Sequence, residues 1–381
     1  MANALKQLED LGQSVWYDNI SRGLVTSGDL RRLVDEGLLG MTSNPTIFDK
    51  AISGSADYDG QLREIFAKSP GASTADIIQS LMVKDIQMAA DVLKTAYDRT
   101  RGADGYVSVE VTPTKARDTA ATIAEVRELA NRIGRKNVMV KIPATKEGLP
   151  AITAAISEGY NINVTLIFSV QRYREVAGAY IAGLEARAQA GKPVSGIASV
   201  ASIFVSRIDT LVDDLLGKKI AGMSDPAAVS RLKGLAGKVA VANTKLVYMA
   251  FKEIFTGPRF APLRAKGAAV QRPLWASTGT KNPAYSDLLY VETLVGPDTV
   301  NTVPPATYAA ILDHLRPAPT VESDLEGANR VLRDLAAAGI DIDAVTDKLE
   351  VDGVASFEKS FDGLNRFLQQ KKSRSAEALA G

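Results

Sequence analysis

Short runs of β-branched residues alternate with longer segments of helical periodicity, and this alternation limits the possible folds more than any other feature of the chain. Eight runs have the character of strands: Val15–Asp18, Gly40–Ser43, Tyr106–Val111, Val138–Ile142, Ile162–Phe168, Ile197–Phe204, Pro273–Ser277 and Thr299–Val303. Strands separated by helices pair in parallel through right-handed crossovers. Eight of them predict an α/β fold, either a closed (β/α)8 barrel or an open doubly wound sheet.

Helical patterns fill most of the remaining chain. Apolar residues recur at helical spacing in Thr74–Arg99, Thr119–Gly134, Val170–Gly191 and Arg207–Leu216. Further helices are expected after the last strand, near Pro305–Leu315, Ser323–Ala338 and Val354–Gln370. Two connections are too long for a single crossover, so helical insertions are predicted in residues 45–105 and 208–271. No linker divides the chain, and we expect one domain over residues 1–381 that ends in a polar, frayed tail, 371–381.

Charge and composition exclude several classes of function. The chain has 45 basic and 44 acidic residues, so no overall charge attracts nucleic acid or an anionic membrane. It has no cysteine and a single histidine, His314, which excludes thiolate chemistry and histidine-rich zinc or iron sites. Neither a signal peptide nor a membrane span is expected, so a cytoplasmic protein is predicted. Covalent chemistry then falls to serine, threonine, lysine and the carboxylates.

Polar side chains oppose the aliphatic face of several predicted strands. Lys141 lies between Val140 and Ile142, and side chains alternate between the two faces of a strand. Polar residues near the late end of their strands are Asp18, Asn44, Glu110, Lys141, Asn163, Thr165, Ser202 and Ser277. If the aliphatic faces pack under outer helices, this set points into the barrel, at the end where (β/α)8-barrel enzymes place their active sites.

Lys141 is the candidate catalytic centre. Burial between aliphatic residues penalises the charged ammonium, and a neutral amine can form a Schiff base with a ketone. Such chemistry also needs groups that move protons, which the carboxylates of Asp18 and Glu110 and the hydroxyl of Thr165 could supply. The alternative is a lysine whose head extends to the barrel mouth beside a structural glutamate.

Taken in order, several segments of the chain resemble the transaldolase family over roughly residues 10–370. The runs that carry this resemblance are Val15-Trp16-Tyr17-Asp18, Thr42-Ser43-Asn44-Pro45-Thr46, Ser108-Val109-Glu110-Val111, Val140-Lys141-Ile142-Pro143, Asn161-Ile162-Asn163-Val164-Thr165-Leu166, Ala201-Ser202-Ile203-Phe204-Val205-Ser206-Arg207 and Ala276-Ser277-Thr278. Each run is weak alone, but their order and spacing are specific. The connection lengths resemble the longer bacterial branch of the family.

This resemblance implies a (β/α)8 TIM barrel with extra helices, and an enzyme of the pentose phosphate pathway. Such an enzyme reversibly transfers a dihydroxyacetone unit from sedoheptulose 7-phosphate to glyceraldehyde 3-phosphate, without a metal or organic cofactor. It implies that Lys141 forms the imine, that Asp18 is the acid/base for carbon–carbon cleavage, and that Glu110 and Thr165 handle water. The substrate contacts it implies are Asn44, Asn163 and Ser202 for hydroxyl groups, Phe204 for the pocket wall and Arg207 for phosphate.

The phosphate site departs from the family pattern. The better-known branch has an arginine two positions after the serine that corresponds to Ser277, and here that position is Gly279. We expect Lys281 to restore the second positive charge, with Ser277 and backbone amides of the loop completing a phosphate cradle. The alternative is a surface turn with a solvated lysine.

Two other functions remain open from the sequence. One is an aldolase of the fructose-6-phosphate type, which would release free dihydroxyacetone and need no acceptor. The other is a non-catalytic protein that binds sugar phosphates. We expect small sugar phosphates as the binding partners, no nucleic acid and no membrane. The chain could act as a monomer or a homodimer.

Overall fold

Eight parallel strands form a closed barrel in which each strand pairs with its neighbours along the chain, as one of the two predicted folds requires. The structure is a computed structural model that describes residues 3–380, with side chains through residue 374. The strands are β1 (Gln13–Asp18), β2 (Gly40–Thr42), β3 (Tyr106–Glu110), β4 (Val138–Pro143), β5 (Ile162–Ile167), β6 (Ser199–Phe204), β7 (Arg272–Ala276) and β8 (Thr299–Val303). The prediction of a (β/α)8 barrel is therefore confirmed, and the open sheet is wrong because β8 pairs with β1.

Helices surround the barrel and fill the long connections. Up to the fifth strand these are α1 (Ala4–Asp10), α2 (Arg22–Thr26), α3 (Asp29–Glu36), α4 (Pro45–Ser53), α5 (Asp59–Lys68), α6 (Thr74–Arg99), α7 (Thr119–Ile133) and α8 (Gly148–Glu158). The others are α9 (Val170–Gln189), α10 (Ser206–Ala221), α11 (Pro226–Lys233), α12 (Val239–Thr256), α13 (Ala261–Ala265), α14 (Leu289–Glu292), α15 (Pro305–His314), α16 (Leu325–Ala337) and α17 (Ile342–Ala380). None of these described helices is long and apolar enough to cross a bilayer.

The amino-terminal end of the barrel is closed by a buried polar cluster. The Asp104 carboxylate accepts hydrogen bonds from the Trp16 indole at 2.8 Å and the Ser14 hydroxyl at 2.7 Å, and it pairs with Arg272 at 3.2 Å. Gly40 faces the Trp16 ring so closely that a β-carbon there would lie 2.5 Å from it. This end is thus filled by side chains, which leaves the opposite end for a pocket.

The carboxy-terminal helix α17 lies beside the other end of the barrel. Its Gly353 packs against Leu166 of β5, where a β-carbon would lie 2.9 Å from the leucine side chain. Leu166 has a left-handed backbone (φ 60°) at a register shift in the pairing of β5 with β6, so the regular alternation predicted for β5 stops there. Farther along, the hydroxyls of Ser360 and Thr46 are 2.8 Å apart, which joins α17 to α4.

The first residues of the predicted tail, 371–381, continue α17, and Gly381 lies outside the described residues. The backbone of α17 continues through Ala380. Lys371 forms an ion pair with Asp59, and the Lys372 ammonium donates to the carbonyl of Ala72 at 2.6 Å. These contacts attach the start of the tail to α5 and to the segment that precedes α6. Polarity along 371–374 therefore reflects a surface helix that is anchored by its lysines.

Candidate active site

Glu110, Lys141 and Asn163 lie side by side in register on three adjacent strands, β3, β4 and β5. The Lys141 ammonium is 3.3 Å from a Glu110 carboxylate oxygen and donates a hydrogen bond to the Ser43 carbonyl at 3.0 Å. Lys141 is only 4% exposed, so its head does not extend into solvent. The strand alternation therefore places a buried amine inside the barrel, as the sequence predicted.

Asp18 lies at the end of β1, two strands away from β3. Its carboxylate accepts a hydrogen bond at 2.7 Å from Thr42, its register neighbour on β2. Burial raises the pKa of Asp18, and this rise is opposed chiefly by the positive charge of Lys141, then by the Thr42 bond and by Lys281 and Arg207. The carboxylate therefore lies in the combined field of the candidate amine and of both candidate phosphate-binding cations.

Glu110 and Thr165 carry buried polar atoms that have no well-aligned hydrogen-bond partner in the described protein, although Glu110 forms an ion pair with Lys141. Neither Glu110 oxygen nor the Thr165 hydroxyl makes a well-aligned hydrogen bond with any described residue. Burial raises the pKa of Glu110, and the nearby Lys141 charge opposes that rise. Because buried polar groups in proteins are almost always satisfied, these atoms mark a place where a water or a substrate hydroxyl would bind.

A hydrogen-bonded chain of uncharged groups lies beside the amine. The Asn163 amide donates to the Ser108 hydroxyl at 3.0 Å, and the Ser202 hydroxyl donates to the Asn163 carbonyl oxygen at 2.6 Å. Since β4 separates β3 from β5, the bond between Ser108 and Asn163 crosses the barrel interior. This chain orients the amide and places two predicted substrate contacts, Asn163 and Ser202, against each other.

Asn44 differs in position from the sequence prediction. It does not end β2 but follows it by two residues, and its side-chain oxygen caps α4 by accepting the Ile47 amide at 2.9 Å. Its amide nitrogen remains available as a donor. Phe204, the predicted pocket wall, ends β6 and packs against Phe168 with ring centroids 5.5 Å apart.

The predicted phosphate-binding residues lie on neighbouring segments after β6 and β7. Arg207 is the second residue of α10 and stacks on Phe204, with its guanidinium carbon 5.2 Å from the ring centroid. Ser277 directly follows β7 in a left-handed conformation (φ 56°), and its hydroxyl is 2.9 Å from that of Ser206. Lys281 is exposed, and its ammonium would be 3.9 Å from a β-carbon on Gly279.

Arg207 and Lys281, the two predicted phosphate-binding cations, have no carboxylate counter-ion among the residues with described side chains. Within residues 3–374, no carboxylate forms an ion pair with Arg207 or Lys281, and no protein acceptor takes a hydrogen bond from either. Burial lowers the pKa of Arg207, and the charges of Glu110 and Asp18 oppose that change. Two unpaired cations beside a backbone turn are suited to an anion such as phosphate.

Two polar residues of the site were missed in the sequence. Thr42 contacts both Asp18 and, at 2.6 Å, the hydroxyl of Thr302 on β8. Ser108 bonds Asn163 across the barrel. Ser108 precedes Glu110 by two residues on β3, so the same strand alternation that identified Glu110 could have found it.

A buried lysine beside two carboxylates inside a (β/α)8 barrel is typical of enzymes that activate a ketone as a Schiff base. Residues 15–368 match the family model described as Transaldolase/Fructose-6-phosphate aldolase. The chain is 47% identical to a Transaldolase of Trichodesmium erythraeum (strain IMS101), over 97% of this chain and 98% of that protein. It is also 47% identical to a Transaldolase of Thermobifida fusca (strain YX), over 97% and 99% of the two chains. The chain belongs to the transaldolase/fructose-6-phosphate aldolase family.

Proposed function

We propose that this protein is a transaldolase. It transfers a dihydroxyacetone unit reversibly from sedoheptulose 7-phosphate to glyceraldehyde 3-phosphate and yields erythrose 4-phosphate and fructose 6-phosphate. The observation that carries the proposal is the buried Lys141 amine, 3.3 Å from Glu110 in a chamber that also holds Asp18. Full-length similarity to proteins named Transaldolase supports the same reaction.

The first half of the reaction forms and uses an imine. The Lys141 ammonium first passes a proton to Glu110, its amine then adds to the ketone carbon, and loss of water leaves a protonated imine. Glu110 and Thr165, whose buried oxygens have no well-aligned hydrogen bond in the described protein, hold the water and move its protons. The Asp18 carboxylate then accepts the proton of the hydroxyl on the fourth carbon. The bond between the third and fourth carbons breaks, and its electron pair moves into the imine to form an enamine.

The second half reverses these steps on a new aldose. The first aldose leaves, and the enamine carbon attacks the aldehyde carbon of the acceptor, whose oxygen receives the proton from Asp18. Water then hydrolyses the imine and releases the new ketose. Asn44, Asn163 and Ser202 bind the sugar hydroxyls, and Phe204 forms a wall of the pocket. The enamine must be kept from bulk water until the acceptor arrives, which the burial of Lys141 and Asn163 favours.

Arg207, Ser277 and Lys281 bind the phosphate group in this proposal. The two cations have no carboxylate partner in the described part of the chain, and both lower the pKa of Asp18 from the barrel mouth. Lys281 thus takes the place of the arginine that the better-known branch carries at the position of Gly279. We further propose that the enzyme acts in the cytoplasm, as a monomer or a homodimer.

Borohydride reduction in the presence of fructose 6-phosphate tests the proposal, since it traps an imine as a stable amine. We expect one dihydroxyacetone adduct, which peptide mapping places on Lys141, and Lys141→Met should abolish both the adduct and turnover. Lys245→Met is the matched control, because Lys245 is another buried lysine, held by the Ser323 carbonyl at 2.6 Å and outside the barrel chamber. An adduct on any other lysine, or turnover by Lys141→Met, would overturn the proposal.

The same substrate separates a transaldolase from an aldolase. A transaldolase releases little dihydroxyacetone from fructose 6-phosphate alone and turns over only when an aldose acceptor is added. Rapid release without an acceptor would instead favour the aldolase activity. Binding of sugar phosphates without any trapped adduct would favour a non-catalytic binding protein.

A further inference from the structure

We propose that two carboxylates of α10, Asp209 and Asp213, are positioning residues for phosphate binding. Each binds a tyrosine that follows the phosphate loop, which we define as residues 277–283. Together the Asp209–Tyr290 and Asp213–Tyr285 pairs, here called the tyrosine clamp, hold this loop against the helix that carries Arg207. This inference rests on the proposed phosphate-binding role of Arg207, Ser277 and Lys281.

The tyrosine clamp consists of two similar contacts one helical turn apart. The Tyr285 hydroxyl donates to an Asp213 carboxylate oxygen at 2.7 Å, and the Tyr290 hydroxyl donates to an Asp209 carboxylate oxygen at 2.9 Å. Residues four apart on a helix lie on the same face, so both tyrosines attach to one side of α10. Arg207 precedes Asp209 by two residues on the same helix.

The second oxygen of each carboxylate binds a backbone amide between α11 and α12 or at the start of α12. Gly237 donates to Asp213 at 3.1 Å, and Ala240 donates to Asp209 at 2.8 Å. Gly237 also packs against the Tyr285 ring, where a β-carbon would lie 2.8 Å from the ring. The carboxylates therefore join three segments of chain rather than two.

Stability alone does not account for these carboxylates. Neither Asp209 nor Asp213 has an ion-pair partner among the residues with described side chains, and Asp209 is buried. Burial raises the pKa of Asp209 to about 6, which reflects the cost of its charge in that place. A buried carboxylate without a cation is costly, and such groups are retained in some proteins because their hydrogen bonds specify one geometry.

The phosphate loop is attached at both of its ends. At its start, the Ser206 amide donates to the Ser277 carbonyl at 3.1 Å. The Thr280 hydroxyl, one residue before Lys281, donates to the Ser286 carbonyl at 2.9 Å, which closes the loop on the segment that carries the tyrosines. Lys281 lies within the turn that this bond closes and is itself exposed. The tyrosine clamp therefore limits how far Lys281 can move from Arg207.

Steady-state kinetics with two acceptors test this role. Tyr285→Phe removes only the hydroxyl and keeps the ring on Gly237, and Asp213→Asn removes the charge of its partner. We expect each variant to raise the KM for glyceraldehyde 3-phosphate about 3- to 10-fold, the effect of losing one typical intramolecular hydrogen bond. The KM and kcat for unphosphorylated glyceraldehyde should stay within about twofold of the parent enzyme. The double variant should be little worse than the more affected single variant, because both substitutions weaken the bond between Tyr285 and Asp213.

Two further variants complete the experiment. Tyr180→Phe is the matched control, since its hydroxyl donates at 2.8 Å to the Ala269 carbonyl away from the phosphate loop; its KM values should not change.

Lys281→Ala reports on the phosphate site directly. If it raises the KM for glyceraldehyde 3-phosphate while Tyr285→Phe and Asp213→Asn do not, the tyrosine clamp is refuted and the phosphate site stands. If Lys281→Ala has no effect either, the proposed phosphate site fails, and the clamp with it. Equal losses with both acceptors would show a merely structural role and also refute the clamp.

Discussion

The Thr165 hydroxyl is buried in β5 without a hydrogen-bond partner in the described protein, and Thr165→Val would remove it with little change in shape. An unsatisfied buried hydroxyl costs about 1–3 kcal/mol, so its loss should leave the free energy of unfolding unchanged or raise it by up to about 1 kcal/mol. If Thr165 handles water during imine formation, kcat should nevertheless fall about 100-fold. The Thr165 hydroxyl thus lowers the stability of the folded protein but is needed for activity.

Urea unfolding followed by circular dichroism measures the first quantity, and a coupled assay of fructose 6-phosphate formation measures the second. Thr122→Val is the matched control, because that buried hydroxyl donates to the Lys115 carbonyl at 2.8 Å on the outside of the barrel. It should lose about 1 kcal/mol of stability and keep its kcat. A Thr165→Val enzyme that loses more than about 1 kcal/mol, or keeps kcat within about twofold, would contradict the reasoning.

Three other changes have distinct expected outcomes. Glu110→Gln should lower kcat by about 10²–10⁴ and slow borohydride trapping at Lys141; trapping at the parent rate would show that Glu110 does not serve imine formation. Because burial raises the pKa of Asp18, the folded state binds this proton more tightly than the unfolded chain, and stability is lost as pH rises through the folded pKa. Asp18→Asn should therefore show a smaller loss of stability than the parent in urea unfolding as pH rises above about 4, the ordinary pKa of an aspartate, and an unchanged or steeper loss would contradict this. Asp104→Ala leaves the partly buried Arg272 charge without its carboxylate partner at the closed end of the barrel, and should cost about 3 kcal/mol of stability while the folded enzyme keeps its kcat. A loss below about 1 kcal/mol in thermal or urea unfolding would show that Asp104 is dispensable.

The sequence alone determined which side chains could point into the barrel. Alternation along a strand has a period of two, so aliphatic neighbours on one face place Lys141 and Glu110 on the other without knowledge of the fold. Helical periodicity and the number of strands were likewise local properties, and they led to a (β/α)8 barrel or an open sheet as the only two arrangements to distinguish. The identity of the candidate catalytic groups followed from this local order together with a family resemblance.

Contacts between distant segments were decided only by the tertiary structure. Closure of β8 onto β1 excluded the open sheet, and the register of β3, β4 and β5 set the 3.3 Å approach of Lys141 to Glu110. The bond between Ser108 and Asn163 and the tyrosine clamp join residues that are 55 and more positions apart. Such distances depend on barrel closure, strand register and helix packing, which no pattern within a single segment contains.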